Sequence, residues 1–308
     1  MTGDGSPIPS IRRDLVGYSY TSGPAPRLTV EAGTTVRFET WDARAGALLD
    51  REAGRPFELP RPTPGRGNPL TGPLAIRGAE PGDALLVTIN DIACISPGWC
   101  GGHAHVGPLP GGRIPRPLGR VCPHDGESVH FNRDVLLPLS PMIGCIGTAV
   151  PDDPPNAGVP GRHGGNLDHP VVAVGAVVHI PVFVNGGLVY IGDVHAAQGD
   201  GELSGIGLEI PADVTVTVDI DHGRQLQWPW VVNQDRVIVM TSAIEFADAR
   251  QEAVEQVVRV LETQLGYEPA DALALISVAG DLRIGQAFGG MEMTLRLEMP
   301  RSLGIVPG

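Results

Sequence analysis

Glycine and proline constrain what this chain can fold into more than any other feature of its sequence. Its 308 residues include 42 glycines and 30 prolines, and both residue types interrupt helices and mark turns. This density favours many turns and short strands over a helical bundle. Because 42% of the residues are hydrophobic, enough apolar material remains for a sizeable core.

Several segments alternate apolar and polar residues, the pattern typical of half-buried strands. Residues 35–41, 214–220 and 291–298 alternate in this way. Further strands are predicted at residues 27–31, 84–92, 171–184, 188–192 and 236–241. The Asn-Gly-Gly sequence at 185–187 predicts a hairpin turn between the third and fourth of these.

Helical spacing occurs only near the C-terminus. One helix is predicted where apolar residues recur at helical spacing before a stop at Gly266, at Val254, Val257, Val258, Leu261 and Leu265. A shorter helix is predicted from Pro269 to about Ala279. The expectation is an α+β protein that is mainly β, with strands in layers and C-terminal helices.

Three segments are predicted as loops because glycine and proline interrupt any alternating or helical spacing of apolar residues in them. They are residues 51–72, 97–128 and 151–170. The segment 97–128 consists mostly of Gly, Pro, His and Cys, which predicts no core elements there. Long irregular loops inside compact domains are usually either functional or disordered, and this segment is expected to be functional.

The charged residues exclude several classes of protein. The chain has 22 basic and 35 acidic residues, and an acidic balance argues against nucleic-acid and anionic-membrane partners. All the basic residues are arginine, and the absence of lysine excludes pyridoxal-phosphate enzymes, Walker-type phosphate loops and lysine-dependent amidases. With no apolar run long enough to span a membrane and no N-terminal signal pattern, a cytoplasmic location is expected.

The four cysteines, Cys94, Cys100, Cys122 and Cys145, form no Cys-x-x-Cys pair. Buried free thiols are the favoured interpretation. The alternative is a zinc site, because Cys94 and Cys100 lie close in sequence to His103 and His105, although their spacing fits no standard pattern.

The densest group of reactive side chains lies at residues 192–202. Asp193 and His195 have the same parity, so on a strand their side chains share a face. Gln198, Asp200 and Glu202 follow, with glycines that let the backbone bend. Mixed Asp, His and Glu ligands suit Zn²⁺. The alternatives are a solvated acidic turn and a calcium-binding loop without catalysis.

Two weaker candidate sites lie upstream. Residues 163–169 combine paired glycines with Asn, Asp and His, which supply ligands or hydrogen-bond donors. His103 and His105 form a His-x-His pair, as metal ligands on a strand often do. The setting of Cys145 is apolar, which predicts an inert thiol, and there is no nucleophile elbow typical of an α/β-hydrolase.

Four blocks of the chain resemble the acetamidase/formamidase family of amide hydrolases. They are residues 67–73 followed by 78–83, residues 142–147, residues 163–168, and residues 192–202 continuing to Glu209. The likeness runs over about residues 30–300. It implies a β-sandwich-like core with added α/β elements, a metal-dependent hydrolase and a homo-oligomer of two or more chains. It also implies one acetamidase/formamidase-like domain over 1–308, with or without a distinct C-terminal α/β subregion at about 243–308.

The resemblance also implies roles for particular residues. The expected activity is that of an amidohydrolase acting on the C–N bond of linear amides, with zinc as the divalent metal and calcium as the alternative. A bound metal would activate water, Glu202 would act as general base, and Asn166 or a glycine N–H would stabilise the oxyanion. The full assignment is Glu202, Asn166 and His163 as catalytic; Asp193, His195, Asp42, His103 and His105 as metal ligands; and Gln198, Asp168 and Gly165 as substrate-binding.

Two departures from the family pattern bear on the substrate. Val194 stands where the family often has glycine, and the loop at 97–128 is individual to this chain. Formamide or acetamide is therefore one expected substrate, and a larger amide from specialised metabolism is another.

Two other hypotheses for the function are a metal-dependent lyase or lactonase on the same scaffold, and a calcium-stabilised β-sandwich binding module. In the second, the Trp-Pro-Trp sequence at 228–230 would be a ligand platform, although core packing is the favoured role for it.

Overall fold

Strands supply most of the regular structure in the computed structural model, which describes residues 7–103, 107–109, 113–289 and 292–308. The strands are β1 (Ser10–Ile11), β2 (Val16–Gly17), β3 (Leu28–Val30), β4 (Thr34–Thr40), β5 (Pro56–Glu58), β6 (Leu70–Ile76), β7 (Ala84–Cys94), β8 (Gly98–Gly102), β9 (Leu118–Cys122), β10 (Ser128–His130), β11 (Leu136–Pro138), β12 (Met142–Thr148), β13 (Gly164–Asn166), β14 (Val177–Pro181), β15 (Val189–His195), β16 (Ala212–Asp221), β17 (Trp230–Val232), β18 (Arg236–Ala243), β19 (Asp281–Gln286) and β20 (Met293–Pro300). The helices are α1 (Phe246–Leu265), α2 (Pro269–Ala279) and a 3₁₀ turn, η1 (Arg301–Leu303).

The larger sheet has nine strands in the order β1-β4-β16-β7-β14-β17-β18-β20-β19. All its pairings are antiparallel except that of β1 with β4. The alternation predicted at 214–220 is visible in β16, where every second residue from Ala212 to Val218 is buried. One face of this strand therefore packs into the core while the other meets solvent.

The second sheet has the order β13-β12-β15-β6-β2, and β3 also pairs with β6. It packs against the nine-stranded sheet, and side chains from both sheets share one hydrophobic core, including Phe38 and Val216 from the larger sheet and Ile143 and Ile191 from the smaller. Two packed sheets of this kind confirm the predicted β-sandwich-like core.

The two C-terminal helices confirm the periodicity argument. Helix α1 ends where Gly266 adopts a left-handed conformation at φ 71°, as a helix-terminating glycine does. Helix α2 spans Pro269–Ala279, with proline in its first turn. Trp228 and Trp230 lie in the core shared by these helices and the larger sheet, so they do not form an exposed ligand platform. None of the described helices is long and apolar enough to cross a membrane.

The prediction that 97–128 supplies no core elements was wrong. Strands β8 and β9 pair there and, with β5 from the segment 51–72, form a three-stranded sheet. Trp99 and Cys122 are buried in it. The glycines of this segment allow close packing: a Cβ on Gly101 would lie 2.8 Å from Leu118 O, and one on Gly119 would lie 2.6 Å from the ring of Phe57.

Other predicted boundaries also shift. The predicted loop at 151–170 contains β13, and the apolar run 171–184 forms a strand only over Val177–Pro181. Residue 291, with which the last predicted strand began, lies outside the described residues, and β20 starts at Met293. The division into one domain with a C-terminal subregion at about 243–308 stays a prediction.

Candidate active site

The site is built at the end of β15, where Asp193 and His195 close the strand. Asp193 has a positive φ of 55°, so the regular alternation of the strand is broken, and its side chain still points toward His195: His195 Nε2 lies 3.6 Å from Asp193 Oδ1. Both side chains are buried. Val194 between them packs into the sandwich core.

Gly144 on the neighbouring strand β12 makes room for the carboxylates. A Cβ at this position would lie 2.5 Å from Asp168 Oδ1 and 3.0 Å from Asp193 Oδ2. Both distances are shorter than carbon–oxygen contacts tolerate, so only glycine lets Asp168 and Asp193 approach each other here.

Gln198 fixes the orientation and the protonation of His195. Its amide Nε2 donates to the backbone oxygens of Asp168 (2.7 Å) and Gly285 (3.4 Å), and this places Oε1 2.7 Å from His195 Nδ1. An amide oxygen can only accept, so Nδ1 carries a proton in either charge state of the ring, and Nε2 is the nitrogen that could bind a cation after losing its own proton. Gln198 was assigned to substrate binding, and the structure shows it bonded to His195.

Four carboxylates surround this imidazole in two overlapping sets. In the aspartate group, ligand atoms of Asp168, Asp193 and His195 lie within 4.8 Å of one another; in the glutamate group, the same holds for His195, Glu202 and Glu209. Glu209 Oε1 is 3.2 Å from His195 Nε2. All five side chains are buried.

Several atoms of this cluster have no hydrogen-bond partner although they are buried. They are Asp168 Oδ1, Asp193 Oδ1, His195 Nε2 and Glu202 Oε2. Buried polar atoms normally have partners because leaving one unsatisfied costs ~1–3 kcal/mol or more. Four such atoms in one cluster indicate that something outside the protein satisfies them.

Burial and mutual repulsion raise the pKa values of the carboxylic acids. Burial is the largest cause in each case, and it raises the pKa of Asp168 to about 8, of Glu202 to about 10 and of Glu209 to about 7. Burial would lower the pKa of His195, but the Glu209 and Asp193 carboxylates outweigh it and raise that pKa well above its usual value. A cation bound here would reverse the effect on the acids.

Behind the cluster lies a second layer of polar residues. The Asn68 amide donates to Asp193 Oδ2 (2.9 Å) and to Asn166 Oδ1 (3.2 Å). The Cys145 thiol donates to the same oxygen of Asn166 at 3.0 Å. Burial raises the pKa of Cys145 well above that of a free thiol, which agrees with the inert thiol predicted from the sequence.

Two of the predicted site residues lie beside the cluster without joining it. His163 is buried against Tyr20 with ring centroids 4.7 Å apart, and its Nε2 has no partner; burial lowers its pKa to about 4. Gly165 pairs with Ile146 in the ladder between β13 and β12. A close backbone contact with Val159 O explains why this position is glycine.

Two other predicted ligands, Asp42 and His103, are not part of the cluster. The carboxylate of Asp42 is already used, since Trp99 Nε1 donates to Oδ1 (2.8 Å) and the Gly46 N–H donates to Oδ2 (2.7 Å). His103 is part-buried, and burial and the nearby Arg44 lower its pKa. Neither ligand group among the described residues includes Asp42 or His103. His105 lies outside the described residues.

The cluster borders a large cavity. Its volume is about 930 Å³, and Gln198 and Glu202 form part of its lining. The lining also includes apolar side chains from the three-stranded sheet, from β11 and from the loops around them: Leu118, Phe131, Leu137, Leu203, Ile206 and Leu208. Buried acids and an imidazole beside a cavity that admits a small molecule define a hydrolase-type centre on a β-sandwich.

Comparison with known proteins assigns this centre to a family. The model of the "Acetamidase/Formamidase family" matches residues 24–119 and 154–301, which is well over half of the chain. A crystal structure of an acetamidase from Bacillus halodurans has a TM-score of 0.90 and 32% identity, covering 96% of this chain and 98% of that one. The chain belongs to the acetamidase/formamidase family.

Two curated relatives are more distant. A formamidase-like protein of Schizosaccharomyces pombe is 28% identical over 251 residues, which is 62% of this chain and 60% of the relative. An acetamidase of Mycolicibacterium smegmatis is 26% identical over 217 residues, 50% of this chain and 53% of the relative. The chain thus matches little more than half of the length of these two proteins.

Sequence reasoning assigned no role to three residues of the site. Glu209 belongs to the glutamate group, Asn68 holds Asp193, and Gly144 makes room for the aspartates. All three fall within the blocks that carry the family resemblance, and this was the one signal for them. Asp168, assigned to substrate binding, lies in the aspartate group.

Proposed function

We propose that this chain hydrolyses the C–N bond of a carboxamide with the help of one divalent metal held by the aspartate group. The four buried, unpartnered atoms of Asp168, Asp193, His195 and Glu202 carry this proposal, because a cation with its bound water would satisfy them together. Membership of the acetamidase/formamidase family supports the reaction type.

Zinc fits the donor set better than calcium. The aspartate group offers two carboxylates and an imidazole nitrogen, for which we propose Nε2 because Nδ1 is bonded to Gln198. Zinc accepts nitrogen and oxygen ligands together. Calcium prefers six to eight oxygen ligands. Gln198 holds the ligating ring in place, as partners of metal-bound histidines usually do.

Glu202 is the proposed general base. A bound divalent metal lowers the pKa of a coordinated water and polarises the amide carbonyl. The Glu202 carboxylate lines the cavity, where it takes a proton from the attacking water and returns it to the leaving nitrogen, so that ammonia or an amine departs. For Asn166 we propose a positioning role, because its amide oxygen accepts hydrogen bonds from Asn68 and Cys145.

The cavity supports an amide larger than acetamide. A volume of about 930 Å³ lies near the upper end of the ~300–1,000 Å³ that is typical of sites for drug-sized ligands. Leu118, Phe131 and Leu203 on its wall match an apolar acyl group. We expect kcat/KM to rise from formamide through acetamide to aryl and long-chain carboxamides, and the reverse order would contradict the cavity assignment.

The role of Glu202 is tested by Glu202→Gln in the metal-loaded enzyme. The variant should lose ~10²–10⁴ in kcat, the usual contribution of a positioned acid–base group, while its metal content by mass spectrometry stays unchanged. Glu31→Gln, at an exposed ion pair with Arg77, is the matched control and should keep full turnover. Full turnover in Glu202→Gln would show that Glu202 is not the general base. Loss of metal from this variant would show that Glu202 is a metal ligand instead.

Two further proposals concern the reaction and the assembly. Ammonia release from a primary amide separates hydrolysis of carboxamides from a lyase or lactonase reaction, which releases none. We also propose a homo-oligomer, for which the exposed apolar side chains of α2, Leu273 and Val278, are the candidate contact surface. Light scattering on a size-exclusion column would measure the mass, and a stable monomer would reject the oligomer.

A further inference from the structure

Two cysteines meet on the wall of the cavity. Strands β8 and β9 are antiparallel, with Cys100 opposite Arg120 and Gly98 opposite Cys122. Cys122 is two residues from Arg120, so both thiols lie on the same face of this sheet. Their Sγ atoms are 3.7 Å apart.

The surroundings of the pair make one thiol accessible and the other protected. Cys100 is part-buried and lines the cavity, whereas Cys122 is fully buried. The hydrogen bond from the Cys122 thiol lowers the pKa of Cys100, and nearby Arg120 lowers it further against the effect of burial. Cys122 responds in the opposite direction, since its hydrogen bond to Cys100 and burial raise its pKa.

The other two cysteines lack such a setting. Burial raises the pKa of Cys94 to about 12, and Cys145 is fully buried beside Asp193, where its thiol donates to Asn166. Thiolate character and access control oxidation, so Cys100 is the thiol that an oxidant in the cavity meets first.

We propose that Cys100 and Cys122 are a site of reversible oxidation, a dithiol that hydrogen peroxide converts into a disulfide. The Cys100 thiolate attacks one peroxide oxygen, the O–O bond breaks, and sulfenic acid and hydroxide form. The Cys122 sulfur then attacks Cys100 Sγ, the S–O bond breaks, and water leaves. In total the two thiols lose two electrons and two protons, and one peroxide becomes two waters.

The geometry permits the second step without unfolding the sheet. Forming a bond of ~2.05 Å requires the sulfurs to approach by roughly 1.7 Å. The two cysteines are diagonal neighbours across the strand pair, a relation in which residues stand ~7–8 Å apart. Bond formation therefore also needs a small local approach of β8 and β9, because a disulfide spans at most ~6.8 Å between Cα atoms. The bond would join β8 to β9 beside Arg120 and Phe131, so oxidation would alter the cavity wall. The site does not depend on the proposed amide hydrolysis.

The test is a peroxide titration of the reduced, metal-loaded protein, followed by thiol counting after denaturation and by peptide mass spectrometry. Cleavage after arginine places Cys122 on peptide 121–133 and Cys100 on peptide 78–113, together with Cys94. Cys94→Ser therefore makes the assignment of a cross-link unique. We expect two of the four thiols to disappear, both peptides to become cross-linked in the parent and in Cys94→Ser, and dithiothreitol to restore the thiols.

A trapping variant tests the order of the two steps. In Cys122→Ser, oxidation should stop at the sulfenic acid of Cys100, which dimedone labels, and no cross-linked peptide should form. Four surviving thiols at a tenfold excess of peroxide would overturn the proposal. Oxidation of Cys145 ahead of Cys100, or direct conversion of Cys100 to sulfinic acid in the parent protein, would overturn it as well.

Discussion

Among single residues, the amide of Gln198 determines which nitrogen of His195 is available as a ligand. Gln198 donates to two backbone carbonyls and accepts from His195 Nδ1. This arrangement keeps a proton on Nδ1 and leaves Nε2, which faces the carboxylates of Asp193 and Glu209, as the nitrogen available to a cation. The ligand chemistry of His195 is therefore set by a neighbour that need not touch the metal itself.

Replacing Gln198 by leucine should weaken metal binding. Without an acceptor at Nδ1 the ring of His195 can change tautomer and rotate, and loss of such a partner typically costs ~10–100-fold in metal affinity. Competition with a chelating dye would measure the change. Gln264→Leu, which removes an exposed side chain bonded to Val306, is the control. Unchanged zinc affinity in Gln198→Leu would show that the ring is held by other contacts.

Gly144→Ala should abolish metal binding although it adds one methyl group. The new Cβ would lie 2.5 Å from Asp168 Oδ1 and 2.7 Å from the backbone oxygen of Asp193, and the second contact cannot be relieved by rotating a side chain. Gly67→Ala is the matched control, since a Cβ there meets nothing within 4 Å. Metal content and circular dichroism of both variants separate loss of the site from loss of the fold. A Gly144→Ala protein that keeps its metal would contradict the close approach of the aspartates.

At the scale of elements, the last two strands hold the segment 198–202 in place. The Gly201 N–H donates to Gly285 O at 3.0 Å, and the Ala287 N–H donates to Gly201 O at 2.8 Å. From β20, Arg296 binds both carboxylate oxygens of Asp200, at 2.7 and 2.9 Å. The segment that carries Gln198 and Glu202 is thus fixed from its outer side.

Arg296→Gln should destabilise the fold and lower kcat. The Arg296 side chain is 4% exposed and also binds Glu298 at 2.6 Å, and breaking such a buried pair costs ~3–5 kcal/mol. Arg283 approaches the same two carboxylates but is 49% exposed, so Arg283→Gln should change stability by less than ~1 kcal/mol. Urea unfolding measures the stability of both variants. Equal losses of stability would contradict the role of Arg296 in holding Asp200 and Glu298.

Local patterns predicted the regular elements well and the site only in part. The alternation at β16 and the spacing of α1 depend on near neighbours, so they are visible in the sequence. The three-stranded sheet was not predicted because its pairing joins β5 to β9 across about sixty residues and its glycine-rich sequence is typical of a loop. Glu209 was missed because its place depends on a bridge to Trp99, which no local pattern encodes.

At the scale of the whole molecule, the fold encloses several acids within a chain that is already acidic. The net charge is −13, and the four acids around His195 are buried. Without the proposed cation, protons must compensate the buried charges, which agrees with the raised pKa values of Asp168, Glu202 and Glu209. The proposal therefore links stability, metal content and pH.

The metal-free protein should lose stability as pH rises. Unfolded carboxylic acids titrate near ~4, whereas those of Asp168 and Glu209 titrate at about 8 and 7 in the fold. The folded state therefore holds more protons between these values, and its stability falls through this window; the raised pKa of His195 acts in the same direction. Tm measured from pH 5 to pH 8 should decrease without metal and change far less with it. A flat profile in the metal-free protein would contradict the buried charge cluster.

Ammonia release during metal add-back tests most directly whether amide hydrolysis depends on a metal held by the aspartate group. The protein is stripped with a chelator, shown by mass spectrometry to be metal-free, and assayed on an aryl carboxamide while zinc is added in steps. Ammonia release should be absent at zero metal and should recover linearly until one zinc is bound per chain, with calcium restoring little. Full turnover of the metal-free protein would contradict a metal centre at His195, Asp193 and Asp168.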